Sequence, residues 1–486
     1  MLNLPIRITS QDKNMKLSMC EVSVDLLIKV AKYAIVLLIA ALTVAATTFY
    51  TGNLYIYLTF TIAANALLFL GFRKNAIFFD TFIGIFFWLG FWLKLTIRLC
   101  FAGGAFHEAV GDFDGSGAAF DHALWVTTVG MLGLIVASVV REKFIFIFPA
   151  QSATYTHTGI VAFYKAYRKY VLISFVGLFL LVGFTNWYLG IYQRGAITQT
   201  VLPFGLNGVY KWLLLFGLTS ISAVILRCEL TLRNGVSYLA VALSLLEGFA
   251  TNVSLLSRGM ILNVSALAVG LYASMKKNSI TLSLRFLTTA FAMFAILFVC
   301  SVLMVNYLRS SHAEINEVVG MSKPLMIDRW VGIEGVMAVS SNPKIGWDLW
   351  KDAWREKYSE NKMSFYDKNL ITSPYNQTDF TKKHYISLPG ILAFFYYPGS
   401  LPFLFAGMFL LGILAALIEF AAFKLGGGNL ILCALIGEVV AYRFASFGYV
   451  PAQSNLLFGT IILNLFIIYL LDRLLSVWKN RTQRAR

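Results

Sequence analysis

Residues 75–101 read NAIFFDTFIGIFFWLGFWLKLTIRLCF. After Asp80 the stretch stays uncharged as far as Leu93, which suits a helix crossing the hydrocarbon of a bilayer, where about 20 predominantly apolar residues are needed. It closes on Lys94 and Arg98, one helical turn apart and on one face. Two like charges so placed predict an anion or a carboxylate between them. The surrounding chain has the same character. Of 486 residues, 58% are hydrophobic and only 13% charged, with a mean hydropathy of +0.72. Soluble domains carry about a quarter charged residues, so a water-soluble fold is excluded and the solvent is a bilayer.

Windows of about 20 residues predict an all-α polytopic membrane protein with twelve spans. They lie near 26–49, 53–72, 75–101, 123–140, 170–190, 209–226, 236–254, 259–275, 286–308, 389–423, 428–446 and 454–472. The first follows a polar, partly basic N-terminus and runs on without a clear cleavage site, so it reads as an uncleaved span. Twelve spans divide the short loops into two sets. One set (1–25, Arg73-Lys74, 141–169, 227–235, 276–285, Lys424 and 473–486) carries 21 Lys plus Arg, the other only Arg194 and Arg258. Positive charge collects on the cytoplasmic side, so both termini are expected there. The chain then divides into an N-terminal segment 1–25, spans one to nine over 26–308, an extracytoplasmic cap over 309–388, spans ten to twelve over 389–475 and a basic tail 476–486.

The net charge of +16 is thus a matter of sidedness, and nucleic acid is not implied. Five scattered cysteines show no C-x-x-C spacing, so neither a metal site nor a disulfide framework is expected. No phosphate-binding GxxxxGK[ST] loop occurs, and no cofactor is indicated.

The cap is nearly charge-balanced and holds four of the ten tryptophans, a composition suited to a small fold of short helices on the outer mouth. Asp328-Arg329-Trp330-Val331-Gly332-Ile333-Glu334-Gly335 runs into an apolar segment and reads as a helix ended by Ser340-Ser341-Asn342-Pro343. Alone it suits a surface helix. Where the chain re-enters the membrane, Leu388-Pro389-Gly390 and then Tyr397-Pro398-Gly399 interrupt the apolar run, predicting a half-helix at the interface and a full span from near Ser400.

Six cations gather at the outer end: Lys94, Arg98, Arg194, Lys211, Arg258 and Arg443. Each alone suits an interface anchor that snorkels outward and pairs with the acids of 102–122. As a set they favour a phosphate or pyrophosphate headgroup, because guanidinium presents a planar fork to phosphate oxygens. Glu247 and Glu438, inside spans seven and eleven, are expected to be paired with cations rather than to form a proton relay.

The twelve spans, the large outer loop before the last three, Tyr192-Gln193-Arg194-Gly195, Ser257-Arg258-Gly259, the Arg329-Trp330 to Glu334 stretch, and Pro389-Gly390 followed by Tyr397-Pro398-Gly399 together resemble a Wzy-type O-antigen or capsule repeat-unit polymerase. The resemblance implies a multi-pass glycosyltransferase of the GT-C type in the bacterial inner membrane, with its active site facing the periplasm. Such enzymes move a glycan from undecaprenyl pyrophosphate to the non-reducing end of another lipid-linked repeat unit, without a metal. It further implies a chain-length regulator protein as partner. The pyrophosphate is assigned to Lys94, Arg98, Arg194, Lys211, Arg258, Arg329 and Arg443, and the proton of the acceptor hydroxyl to Glu334 first and His384 second. The O-antigen ligase shares this layout, but Tyr385 follows His384 where its motif carries Asn, Ser or Gln. A lipid-linked oligosaccharide flippase also suits twelve spans, although transporters commonly show two related halves, which are absent from this sequence. A non-catalytic membrane scaffold leaves the outer arginines unexplained.

Overall fold

The computed structural model describes residue 30 and residues 33–106, 108–148, 158–233, 235–309, 328–356, 362–371, 387–448 and 451–484. Among them every regular element is helical. Each predicted span falls on a helix: α1 (Tyr33–Phe49), α2 (Leu54–Leu70), α3 (Phe78–Ala102), α4 (Gly117–Ile145), α5 (Thr158–Leu189), α6 (Pro203–Arg233), α7 (Tyr238–Ser254), α8 (Met260–Lys277), α9 (Leu284–Arg309), α14 (Leu401–Leu425), α15 (Leu430–Ala445) and α16 (Pro451–Arg484). The numbers between belong to the short helices α10 (Ile333–Ser340), α11 (Trp347–Trp354), α12 (Phe365–Asn369) and α13 (Gly390–Phe395).

By length and composition seven of these helices can cross a membrane: α3, α4, α5, α6, α9, α14 and residues Leu457–Asn480 of α16. The helices α1, α2 and α7 are apolar but shorter. The remaining two, α8 and α15, have 18 and 16 residues and carry polar groups such as Asn263 and Glu438. For α15 its position explains the difference. α15 is buried on nearly every face, as a helix enclosed by others must be, and it packs against α3 and α8. A helix shielded by protein needs neither full span length nor uniform apolarity. At the other extreme α9 fully buries only Phe286, Ser301, Val305 and Asn306, its other residues being half-buried or exposed.

At the end of the bundle away from the cap, Arg73 and Arg141 turn inward to Asp80, at 3.6 and 3.1 Å, and Arg73 also meets Glu142 at 2.6 Å. Arg168 and Arg233 both reach Glu229, at 2.5 and 3.0 Å. Some of the positive charge that marks this end is therefore used to tie helices together.

The break expected near Pro398 is present. Gly390 (φ 80) and Gly399 (φ 72) adopt the left-handed region that side chains disfavour. Between them lies the six-residue α13, and the Ser400 hydroxyl then caps α14 by accepting from Phe403 N at 3.4 Å.

The cap departs from expectation in two respects. The helix predicted from Asp328 begins at Ile333, and residues 328–332 are not helical. Neither is α10 a surface helix: all eight residues are buried, against α4 and α13. The cap thus inserts into the bundle. Trp350 of α11 lies 4.6 Å from the Phe394 ring and 5.1 Å from the Phe403 ring, continuing the apolar seal.

Between α11 and α12 the carboxyl of Glu356 is half-buried and accepts from Phe365 N at 2.5 Å. Burial, reinforced by the charge of Asp367, pushes it up to about 7. A carboxyl raised in the folded state stabilises fully below its unfolded value and loses that contribution as the pH rises through the folded one. Between pH 5 and pH 8 the cap should therefore lose about 1 kcal/mol, allowing for solvent screening. Glu356→Gln should abolish this pH dependence, read as hydrogen exchange of the α11 and α12 amides.

Candidate functional site

The cap is locked to α3 where that helix loosens into a π-helical turn, Trp88–Leu93. Such turns often mark functional positions, and here Gly90 within the turn lets another backbone approach. A Cβ on Gly90 would stand 2.2 Å from the Val331 carbonyl oxygen, and one on Gly332 1.8 Å from that of Gly90. Immediately after the turn, Lys94 Nζ meets Glu334 Oε1 at 2.7 Å, the Trp330 carbonyl at 2.6 Å and the Asp328 carbonyl at 3.2 Å. These acceptors occupy all three ammonium donors. Helical geometry over 328–332 would withdraw the carbonyls from Lys94, which is why α10 starts late. The Lys94 and Glu334 side chains are 1% and 5% exposed. Burial pushes the Glu334 carboxyl above the usual carboxylate range, with Lys94 opposing and Glu108 adding to the rise. One turn on, Arg98 donates from Nε and Nη2 to Asp328 Oδ1.

Lys94 and Arg98 are therefore compensated by acids of the cap and not by those of 102–122. Asp121, which lies in the first turns of α4, instead accepts from Tyr50 Oη at 2.7 Å and from Asn53 N at 2.8 Å.

The two arginine turns, distant in sequence, form one unit. Asn186, near the end of α5, donates to Tyr192 O and Ser254 O at 3.0 Å and to Ser254 Oγ at 2.8 Å, while its carbonyl accepts from Tyr192 N at 2.9 Å. Arg194 N donates to Leu255 O at 2.9 Å. Arg309, the last residue of α9, then clasps both turns, reaching Leu256 O and Arg194 O at 2.9 Å each. Leu256 is held at φ 50, a conformation unfavourable for a branched side chain, which persists only where the surroundings impose it. Arg258 follows two residues later, and the Arg194 guanidinium reaches to 3.8 Å from where a Gly259 side chain would begin. Lys211 lies over the Tyr192 ring, 4.7 Å from its centre.

Near Arg194 lies Arg329 of the cap. Burial disfavours its charged form, with the nearby Tyr442 side chain opposing and the charge of Arg194 adding to the effect. Tyr442 and Arg443 lie in the last turns of α15, and Glu438 lies one turn before Tyr442. Among the described residues neither Arg194 nor Arg329 forms an ion pair within 4.0 Å.

Tyr442, Asn186, Asp328 and Arg309 were not singled out in the sequence. Tyr442 had a usable signal, standing next to Arg443 and four residues after Glu438 in an apolar helix. The expected cation partner of Glu247 is absent among the described residues: Thr251 donates to it at 3.0 Å, Thr219 and Ser222 at 3.4 Å. His384 lies outside the described residues. Among those described, no group of three His, Cys, Asp or Glu stands ready to hold a metal.

No family model matches this chain, and no curated protein or solved structure does so. The function therefore has to be argued from the site itself. Among its cations, Lys94 and Arg98 are neutralised by the cap, while Arg194 and Arg329 lie near one another and near Tyr442.

Removing one member of a buried ion pair leaves the other uncompensated, at about 3–5 kcal/mol. Lys94→Met should lower stability by that amount and release the cap. Lys94→Met combined with Glu334→Leu should recover most of the loss, both read from thermal unfolding in detergent.

Proposed function

We propose that this chain is a membrane glycosyltransferase that polymerises lipid-linked oligosaccharide repeat units of O-antigen or capsule. In this reading twelve helices span the bacterial inner membrane with both termini cytoplasmic, and the cap faces the periplasm. The growing glycan leaves undecaprenyl pyrophosphate and joins the non-reducing end of a new lipid-linked unit.

The observation that carries the reading is the approach of Arg194 and Arg329, from different parts of the chain, without a carboxylate ion pair among the described residues. Two half-buried guanidiniums near one another repel, and their repulsion falls when a multiply charged anion lies between them. A lipid pyrophosphate has that charge, and its headgroup sits at the membrane surface where these residues lie. Guanidinium forks suit phosphate oxygens, and fixed positive groups stabilise the charge that grows on a departing pyrophosphate. In this reading Arg258, in the second of the clasped turns, contributes at the rim. Lys94 and Arg98 serve the site indirectly, by holding the cap that carries Arg329.

Deletion of the gene in its native host, with surface glycan resolved on a gel, tests the reading. Loss of the polymer ladder with a single repeat unit still attached is expected. Bare lipid core with lipid-linked polymer accumulating points instead to a ligase, and an unchanged glycan overturns the proposal. In a complementing background, Arg194→Ala and Arg329→Ala should each lower polymerisation about a hundredfold while the protein still inserts. Arg258→Ala should lose most activity.

A further inference from the structure

At the end of the bundle away from the cap, a groove of about 650 Å³ opens between α5 and α16, with Ile221 of α6 also lining it. The two helices touch just before it. Ile160 N donates to Asp472 Oδ1 at 2.8 Å, and a Cβ on Gly159 would collide with the Asp472 carbonyl oxygen. One turn further along α5 the groove begins, at Phe163 and Trp478, whose rings lie 5.9 Å apart edge to face. The α5 wall continues through Tyr167, Tyr170, Ser174 and Leu178, a spacing of three and four that puts them on one helix face. Within that wall α5 departs from helical geometry: Tyr167 has φ −120 and ψ 25, although neither proline nor glycine lies between Ile160 and Val176.

The lining is aromatic and aliphatic, and its polar atoms are the tips of tyrosines, a tryptophan and one serine. Such walls offer no row of hydrogen-bonding partners to a polypeptide backbone, which would need them in a bilayer, whereas an alkyl chain needs none. Tyrosine and tryptophan at the mouth suit the depth where the hydrocarbon meets the headgroups.

The charge around that end is one-sided. Over 158–178 and 470–484 the sequence has seven basic residues and a single acid, Asp472, which Ile160 N already engages. Arg168 is taken up by Glu229. Lys165, Lys169 and Arg473 are exposed, and the two lysines form no ion pair among the described residues. These residues flank the groove at the level of Tyr167 and Leu474 and do not line it. A neutral phospholipid would satisfy the walls equally well, so the basic flank is what selects among lipids, by drawing in an anionic headgroup.

We propose that this groove is a binding site for an anionic phospholipid, with one acyl chain lying between α5 and α16 and the phosphate over the basic residues beside its mouth. The proposal needs a surrounding bilayer and is independent of the glycosyl-transfer reading.

The test uses the full chain in nanodiscs of equimolar phosphatidylglycerol and phosphatidylethanolamine, with bromine on the acyl chains of one lipid or the other. Quenching of Trp478 is read as the difference between wild type and Trp478→Phe. Brominated phosphatidylglycerol should quench Trp478 about fivefold more effectively than brominated phosphatidylethanolamine, the scale of one basic residue at an anionic surface. Combining Lys165→Gln, Lys169→Gln and Arg473→Gln should remove most of this preference while quenching persists with both lipids brominated. Equal quenching by the two lipids in wild type would mean that ordinary bilayer chains fill the groove, and overturns the proposal. So does quenching by neither lipid, since no chain then enters, and so does a preference that survives the triple substitution.

Discussion

The buried pair of Lys94 and Glu334 is the constraint on which the capped end of the molecule depends. An ammonium at the end of a membrane helix needs compensation, and here it comes from a carboxylate and two carbonyls more than 230 residues away in sequence. That compensation holds residues 328–332 out of helical geometry, brings the cap backbone onto Gly90, and sets Arg329 near Arg194. Burying an ion pair is weak evidence for stability in itself. Its consequence here is registration: one arrangement of cap on bundle satisfies the lysine, and that arrangement places the arginine.

The division of labour among the cations follows. Arg98 repeats the arrangement of Lys94 one turn further along, with Asp328 as partner. Arg309 supplies a second kind of clasp, bonded to backbone carbonyls of both arginine turns. The three are scaffold, and the two guanidiniums that lie near Tyr442 owe their closeness to it. Cations with a carboxylate partner and cations without an ion pair among the described residues thus share one end of the bundle, a difference that counting them as a single set conceals.

The helices were legible in the sequence because each apolar run is long and its ends are marked by charge, glycine or proline, as at Pro398-Gly399. The late start of α10 was not legible, since the pattern after Asp328 is helical and only the distant Lys94 overrides it. The partners of Lys94 and Arg98 were sought in the nearest acidic loop, 102–122, because sequence proximity is the only distance a sequence shows. The environment of Glu247 was missed for a related reason. Thr219, Ser222 and Thr251 read as ordinary small residues of a membrane helix, and their convergence on one carboxylate depends on how α6 and α7 face each other. Arg194 and Arg258 were recognisable as a pair of similar outward turns, but the asparagine and arginine that bind them together carry no motif.

The helix α9 buries few of its residues fully, yet ends in the arginine that grips both turns. A helix surrounded mainly by lipid answers to the bilayer, tilting when its apolar length exceeds the local thickness and drawing inward when it falls short. Arg309 ties the end of such a helix to the backbone of both arginine turns, so any change in the tilt of α9 would act on those two turns first.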